Sequence, residues 1–114
     1  MNNTLKRARF VHLFAALTVA AFARGIQFVV TSGRRTAEEQ HQLFLEGKSK
    51  NDGIKKISQH QLDLARDIVI INEKGEPIWD RTPDYDNLGE IWEGLGGRWG
   101  GLWGTLIDIF HFEI

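Results

Sequence analysis

The stretch "SQHQLDLARDIVIIN", Ser58 to Asn72, changes character halfway, and that change decides the fold. Its first half is polar and carries His60, whereas its second half is the β-branched run Ile68–Ile71, preceded by Asp67. The pattern reads as a polar turn followed by a buried strand over Leu64–Asn72. His60 and Asp67 are then either a metal-binding pair or polar residues of a turn that leads into a core strand. Their spacing of seven residues leaves both readings open. On one helix that spacing spans roughly 10 Å, too far for two ligands that each sit about 2 Å from one ion. On one strand the odd spacing puts them on opposite faces, about 23 Å apart. Shared ligation therefore requires His60 in a loop that folds back over the start of the strand carrying Asp67.

Upstream, Phe10, Leu13, Phe14, Leu17 and Ala21 recur at helical spacing and predict an amphipathic helix over about residues 3–24, ended by Gly25. A basic start followed by "FVHLFAALTVAAFA" (Phe10–Ala23) also resembles a secretory signal, with Ala21-Phe22-Ala23 as a cleavage site. His12 and Thr18 interrupt the run, which is too short to span a bilayer, and the helix of the mature chain is the reading adopted. "IQFVVTS" (Ile26–Ser32) follows as a short strand. Thr36 and Glu39 form a capping box for a helix expected to turn Leu43 and Phe44 inward and to stop at Gly47.

Lys48–Ser58 is polar and is expected to be a loop. "NEKGEPIW" suggests a turn into a short antiparallel strand around Ile78 and Trp79. Leu88, Ile91, Trp92 and Leu95 give the Tyr85–Gly96 segment one apolar helical face. "GGRWGGLWG" reads as a Gly/Trp-rich loop, and "IFHFEI" closes the chain as an alternating strand. Helices and strands mix without a βαβ rhythm, so an α+β domain with a small, mainly antiparallel sheet and flanking helices is expected.

The 114 residues suffice for one domain, 1–114. With no Cys, any metal must be held by His and carboxylates. A net charge of −1 gives no general argument for nucleic-acid binding, although residues 1–37 hold six basic side chains and no acid.

In the final strand, Phe110, Phe112 and Ile114 share one face; Ile109, His111 and Glu113 share the other. His111 is the candidate third ligand beside His60 and Asp67. Two histidines, an aspartate and a water make an open zinc site of the catalytic type. A solvated polar strand face is the plainer alternative.

Together, Ser58-x-His60 with Ala65-x-Asp67, followed by Asp108-x-x-His111-Phe112-Glu113, resemble the signature of the D-Ala-D-Ala carboxypeptidase/VanY-like zinc metallopeptidases. The likeness is greatest to the phage-type L-alanyl-D-glutamate endopeptidases. "TSGRRTAEEQHQLFLEG" (Thr31–Gly47) resembles the segment in which an arginine follows the first strand. "LGEIWEGLGGRWGG" (Leu88–Gly101) resembles the Trp-Gly-Gly region ahead of the last strand. The likeness runs from about Gly25 to the C-terminus, with Asp63 standing where family members often have Gly.

The resemblance implies a hedgehog/DD-peptidase-like fold whose metal-site segments are 58–67 and 108–113. One Zn2+ per chain would be held by His60, Asp67 and His111. Asp108 matches the general base, and Arg35 the arginine that binds the scissile carbonyl oxygen, with Arg34 as the neighbouring register. Ser58 and Glu113 would orient the histidine rings, and Trp99 or Trp103 would wall the substrate groove.

The implied activity is hydrolysis of a peptide bond in peptidoglycan stem peptides, L-Ala-D-Glu first. A D-Ala-D-Ala carboxypeptidase or dipeptidase is one alternative, and a non-catalytic wall-peptide-binding module is the other. The expected partner is the stem peptide, with no nucleic acid, no stable membrane insertion and a monomeric state. A phage or prophage endolysin would collect in the cytoplasm and act on the wall after release; if residues 1–23 were a signal peptide, it would be exported.

Overall fold

The computed structural model describes all 114 residues, Met1–Ile114. Three helices, α1 (Asn3–Ala23), α2 (Ala37–Leu45) and α3 (Pro83–Gly94), flank a four-stranded sheet. Its strands are β1 (Gln27–Ser32), β2 (Ala65–Ile71), β3 (Arg98–Trp99) and β4 (His111–Glu113), in the order β1-β2-β4-β3, and every pairing is antiparallel. The fold is α+β, as the mixed pattern of elements requires.

Strand β2 is the organiser, because its two faces do different work. Arg66, Ile68 and Ile70 alternate toward the core; the Arg66 guanidinium lies over the Phe10 ring at 5.2 Å. Ala65 and Asp67 alternate toward the other face, and their partners across the ladder are Glu113 and His111. Directly opposed residues have Cβ atoms only about 5 Å apart. The pairing register itself therefore sets Asp67 beside His111.

The core forms on the helix side. Phe10, Leu17 and Ala21 of α1 and Tyr85, Leu88 and Trp92 of α3 are buried with Ile68, Ile70 and Phe112. Trp92 is fully buried, edge-on to Phe10 (centroids 5.6 Å) and Phe112 (6.1 Å), and its indole N–H donates to the Glu113 carbonyl at 2.9 Å. That bond satisfies a buried donor and ties α3 to the strand that carries His111. Tyr85, also fully buried, donates its hydroxyl to the Ile78 carbonyl (2.6 Å) and accepts from the Ile70 amide (3.0 Å).

Four expectations change. Phe44 does not turn inward: it is 40% exposed and stacks on His41, whereas the residue α2 buries completely is Gln40. The strand expected around Ile78 and Trp79 shrinks to a single bridge, Ile71↔Pro77. Proline lacks the N–H a ladder needs, and Trp79 is 63% exposed.

The Gly/Trp segment is not wholly a loop, since Arg98–Trp99 pairs with β4 and makes it an interior strand. Trp99 is core rather than groove. It is 2% exposed, donates its indole N–H to the Ile109 carbonyl at 2.9 Å, and packs so closely on Gly89 that a Cβ there would lie 2.1 Å from the ring.

Candidate metal centre

His60 sits in a tight turn whose amides close on nearby carbonyls: Gln61 on Ser58, Asp63 on His60 and Leu64 on Gln59. Asp63 occupies the turn at φ 59°, a left-handed conformation that favours Gly and that Asp tolerates better than most residues. Its carboxylate accepts from Arg66 Nη1 at 2.8 Å. Asp63 is thus accommodated in the turn at a positive φ, with its side chain paired to Arg66.

The segment after β1 clamps this turn. The Arg35 amide donates to the His60 carbonyl at 3.0 Å, and His60 Nδ1 lies 2.7 Å from the Gly33 carbonyl. A carbonyl can only accept, so Nδ1 carries the proton and Nε2 presents its lone pair. A bulge between Val30 and Ser32 ends the regular β1–β2 pairing at Asp67. Bulges of this kind re-aim the chain beside functional sites.

The fold-back that shared ligation requires is present. His60 Nε2 lies 3.3 Å from Asp67 Oδ1, His111 Nδ1 lies 3.1 Å from that oxygen, and the two ring nitrogens are 3.3 Å apart. His111 Nε2 is 2.7 Å from Glu113 Oε1, and Glu113 Oε2 accepts from Arg98 at 2.8 Å. With Nε2 donating to Glu113, the His111 nitrogen aimed at the cluster is a lone pair as well.

Two lone pairs and a carboxylate oxygen thus converge on one point, while each ring's other nitrogen is held by an acceptor. That arrangement repels itself unless a cation or proton lies among the donors. It suits a divalent metal bound by nitrogen and oxygen.

The charges follow the same geometry. Burial alone would raise the Asp67 carboxyl, but when protons rather than a metal lie among these donors, hydrogen bonds from the protonated His111 and His60 rings hold it well below the usual range. Burial alone would lower His111, yet hydrogen bonds to Asp67 and Glu113 push it up to about 9. Burial, with the Asp67 charge adding, raises Asp108 above the ordinary carboxylate range. Asp108 lines the same cleft, of about 590 Å³, as the three donors. The His111 amide closes on the Asp108 carbonyl at 3.3 Å, bending the chain just before β4. Gly100 packs against that bend, where a Cβ would meet the Asp108 carbonyl at 2.3 Å.

Arg35, not Arg34, faces the cleft; Arg34 is exposed. The Arg35 guanidinium is partly committed, with Nη2 on Asp67 Oδ2 at 2.9 Å and Nη1 on Gln40 Oε1 at 3.1 Å. It thus orients the Asp67 carboxylate directly, a contact that the oxyanion role alone does not foresee. Ser58 differs from expectation too: its hydroxyl accepts from the His60 amide at 3.2 Å and shapes the turn, while the Gly33 carbonyl orients the ring. Glu113 does hold the His111 ring. Of the two tryptophans only Trp103 lines the cleft, its ring centroid 4.9 Å from that of His111.

Gln40 is the side chain that sequence reasoning passed over. It is fully buried and donates Nε2 to Ser49 Oγ (2.8 Å) and the Asn51 carbonyl (2.9 Å) while accepting from Arg35. One amide thus joins the Asp67–Arg35 pair to the Lys48–Ser58 loop. The only signal was the glutamine content of a capped helix that also carries Gln42, and the burial of one of the two could not be read from periodicity.

Similarity to known proteins extends over this part of the chain. A family model described as D-alanyl-D-alanine carboxypeptidase matches residues 52–114, which include all three donors and Asp108. The chain is 34% identical over 112 residues to the peptidoglycan L-alanyl-D-glutamate endopeptidase CwlK of Bacillus subtilis (strain 168), covering 87% of this chain and 67% of that relative. Among solved structures it is similar to the L-Ala D-Glu endopeptidase ChiX of Serratia marcescens, at 26% identity and a TM-score of 0.62, covering 78% of this chain and 67% of that one. It also shares the fold of a variant of the vancomycin resistance D,D-pentapeptidase VanY from a VanB-type cassette, in complex with Zn(II). The identity there is 22% and the TM-score 0.67, over 92% of this chain and 70% of that one.

Proposed function

The chain belongs to the D-alanyl-D-alanine carboxypeptidase family of peptidoglycan metallopeptidases, and we propose that within it this protein is a zinc-dependent L-Ala-D-Glu endopeptidase. The observation that carries the reading is the convergence of His60 Nε2, Asp67 Oδ1 and His111 Nδ1, each held from behind by another group. The choice of bond is supported by the 34% identity to an L-alanyl-D-glutamate endopeptidase.

A zinc ion at these donors supplies Lewis acidity, which makes a water nucleophilic near neutral pH and polarises a carbonyl. The chain's own residues do the rest. Asp108, made more basic by burial and by the Asp67 charge, takes the proton of the attacking water and passes it to the leaving amine. Arg35 keeps Asp67 oriented, and two of its five N–H donors are used in the contacts to Gln40 and Asp67. The others are available to a carbonyl oxygen that gains negative charge. Trp103, against His111, forms an apolar wall.

The proposed setting is a phage or prophage endolysin, made in the cytoplasm and acting on the wall after release. No helix is long and apolar enough to cross a membrane.

Digestion of purified peptidoglycan by the zinc-loaded protein tests the reading. New N-terminal D-Glu is expected. Released D-Ala would replace the endopeptidase with a carboxypeptidase, and zinc binding without any cleavage would leave a wall-binding module.

A further inference from the structure

The cleft carries charges of both signs. Asp67, Asp108 and Glu113 line it, and so do Lys48 and Lys50 of the loop that follows α2. Arg35 answers Asp67 and Arg98 answers Glu113. Lys48 has a partial answer in Glu46, at 3.5 Å. Lys50 has none: its ammonium bonds the neutral hydroxyl of Thr105, across from the other loop of the cleft.

The residues around Lys50 are tied down. Ser49 and Asn51 both accept from the buried Gln40 amide, and His41 Nδ1 bonds the Asp52 carbonyl at 2.8 Å. An unneutralised cation on a pinned segment, in the cleft that holds the candidate metal centre, is arranged to meet an anion on the substrate.

Resting on the peptidase reading above, we infer that Lys50 is a specificity residue that binds a free carboxylate on the amine-side residue of the scissile bond. A glutamyl residue there has two carboxyl groups, of which one continues the chain and the other is free. The free group takes a charge-assisted hydrogen bond from the ammonium, and the bond is lost when the group is an amide. Lys48, half answered by Glu46, contributes less.

The test is calorimetric binding to the zinc-loaded chain of three dipeptides in which D-glutamate is joined through its side-chain carboxyl to L-lysine. The first has a free α-carboxylate and an amidated C-terminus. The second is amidated at both, and the third has only the C-terminal carboxylate free. The first is expected to bind about tenfold more tightly than the second, as one charge-assisted contact gives. Lys50→Met is expected to bring that ratio to about one, Lys50→Arg to keep most of it, and Lys74→Met, on the remote hairpin, to leave it intact. Zinc stoichiometry measured on each variant reports that the fold is preserved.

Equal binding of the first two peptides, or a ratio that survives in Lys50→Met, overturns the inference. A Lys50-dependent preference for the third peptide also overturns it, by moving the recognised carboxylate to the chain terminus. A preserved preference for the first peptide without hydrolysis of peptidoglycan would count against the peptidase reading and still support Lys50.

Discussion

His60 and His111 reach the same point by different means. His60 stands in a turn, and its ring is oriented by a backbone carbonyl, that of Gly33. His111 stands on a strand, and its ring is oriented by the Glu113 carboxylate, itself held by Arg98. One support is neutral and belongs to the chain's path; the other is ionic and belongs to side chains. The difference determines which perturbations can reach each ligand and which features a sequence can display.

The largest effects should ignore the difference. His60→Ala and His111→Ala each remove one of three donors, and both are expected to abolish stoichiometric zinc and all measurable hydrolysis. Asp108→Asn separates chemistry from binding: zinc is expected to stay at one equivalent while kcat falls about 10²–10⁴-fold. Loss of zinc in that variant would show Asp108 to be part of the metal's support rather than the base.

Breaking the supports should separate the two histidines. Glu113→Gln removes the carboxylate behind His111 and is expected to weaken zinc affinity by about 10–100-fold, read by chelator competition. Ser58→Ala removes only a hydrogen bond to the His60 amide and is expected to cost about 1 kcal/mol of stability with a smaller change in affinity. Equal loss of affinity in the two variants would erase the distinction.

The ionic support also makes His111 the pH-sensitive side of the site. Its folded-state pKa of about 9 lies above the ordinary 6.5. In chelator-treated protein the stability given by its proton is therefore complete below about pH 6.5 and lost as the pH rises through about 9. A fall in Tm of about 10 °C between pH 6 and pH 9.5 is expected, and it should shrink in Glu113→Gln. A flat profile would contradict the ion-pair account. Zinc must displace that proton, so its affinity should rise with pH over the same window.

The smallest effect concerns Asp63. Asp63→Gly relaxes a φ of 59° but removes the contact to Arg66. The two nearly offset, and a stability change within about 1 kcal/mol by urea denaturation is expected, with zinc binding retained.

The same contrast explains what the sequence could display. The donors, Asp108 and Glu113 were legible because their chemistry is in their side chains, and strand alternation put His111 and Glu113 on one face. The α+β class followed from the order of the apolar segments. The Gly33 carbonyl was invisible because every residue has one, and only the folded path aims it at His60.

The burial of Gln40, the exposure of Phe44, and the division of Trp99 from Trp103 between core and cleft all depend on which elements meet in space. Periodicity within one segment does not report that. Pro77 was a local signal against a full strand at Ile78, and the apolar pattern around it outweighed the missing N–H.

The account's central claim is that His60, Asp67 and His111 form one metal site. Zinc titration of the chelator-stripped chain in competition with a chromophoric chelator tests it most directly. One equivalent of tightly bound zinc is predicted, abolished by deleting His111–Ile114; less than about half an equivalent in the intact chain, or stoichiometric zinc retained in the truncation, would contradict it.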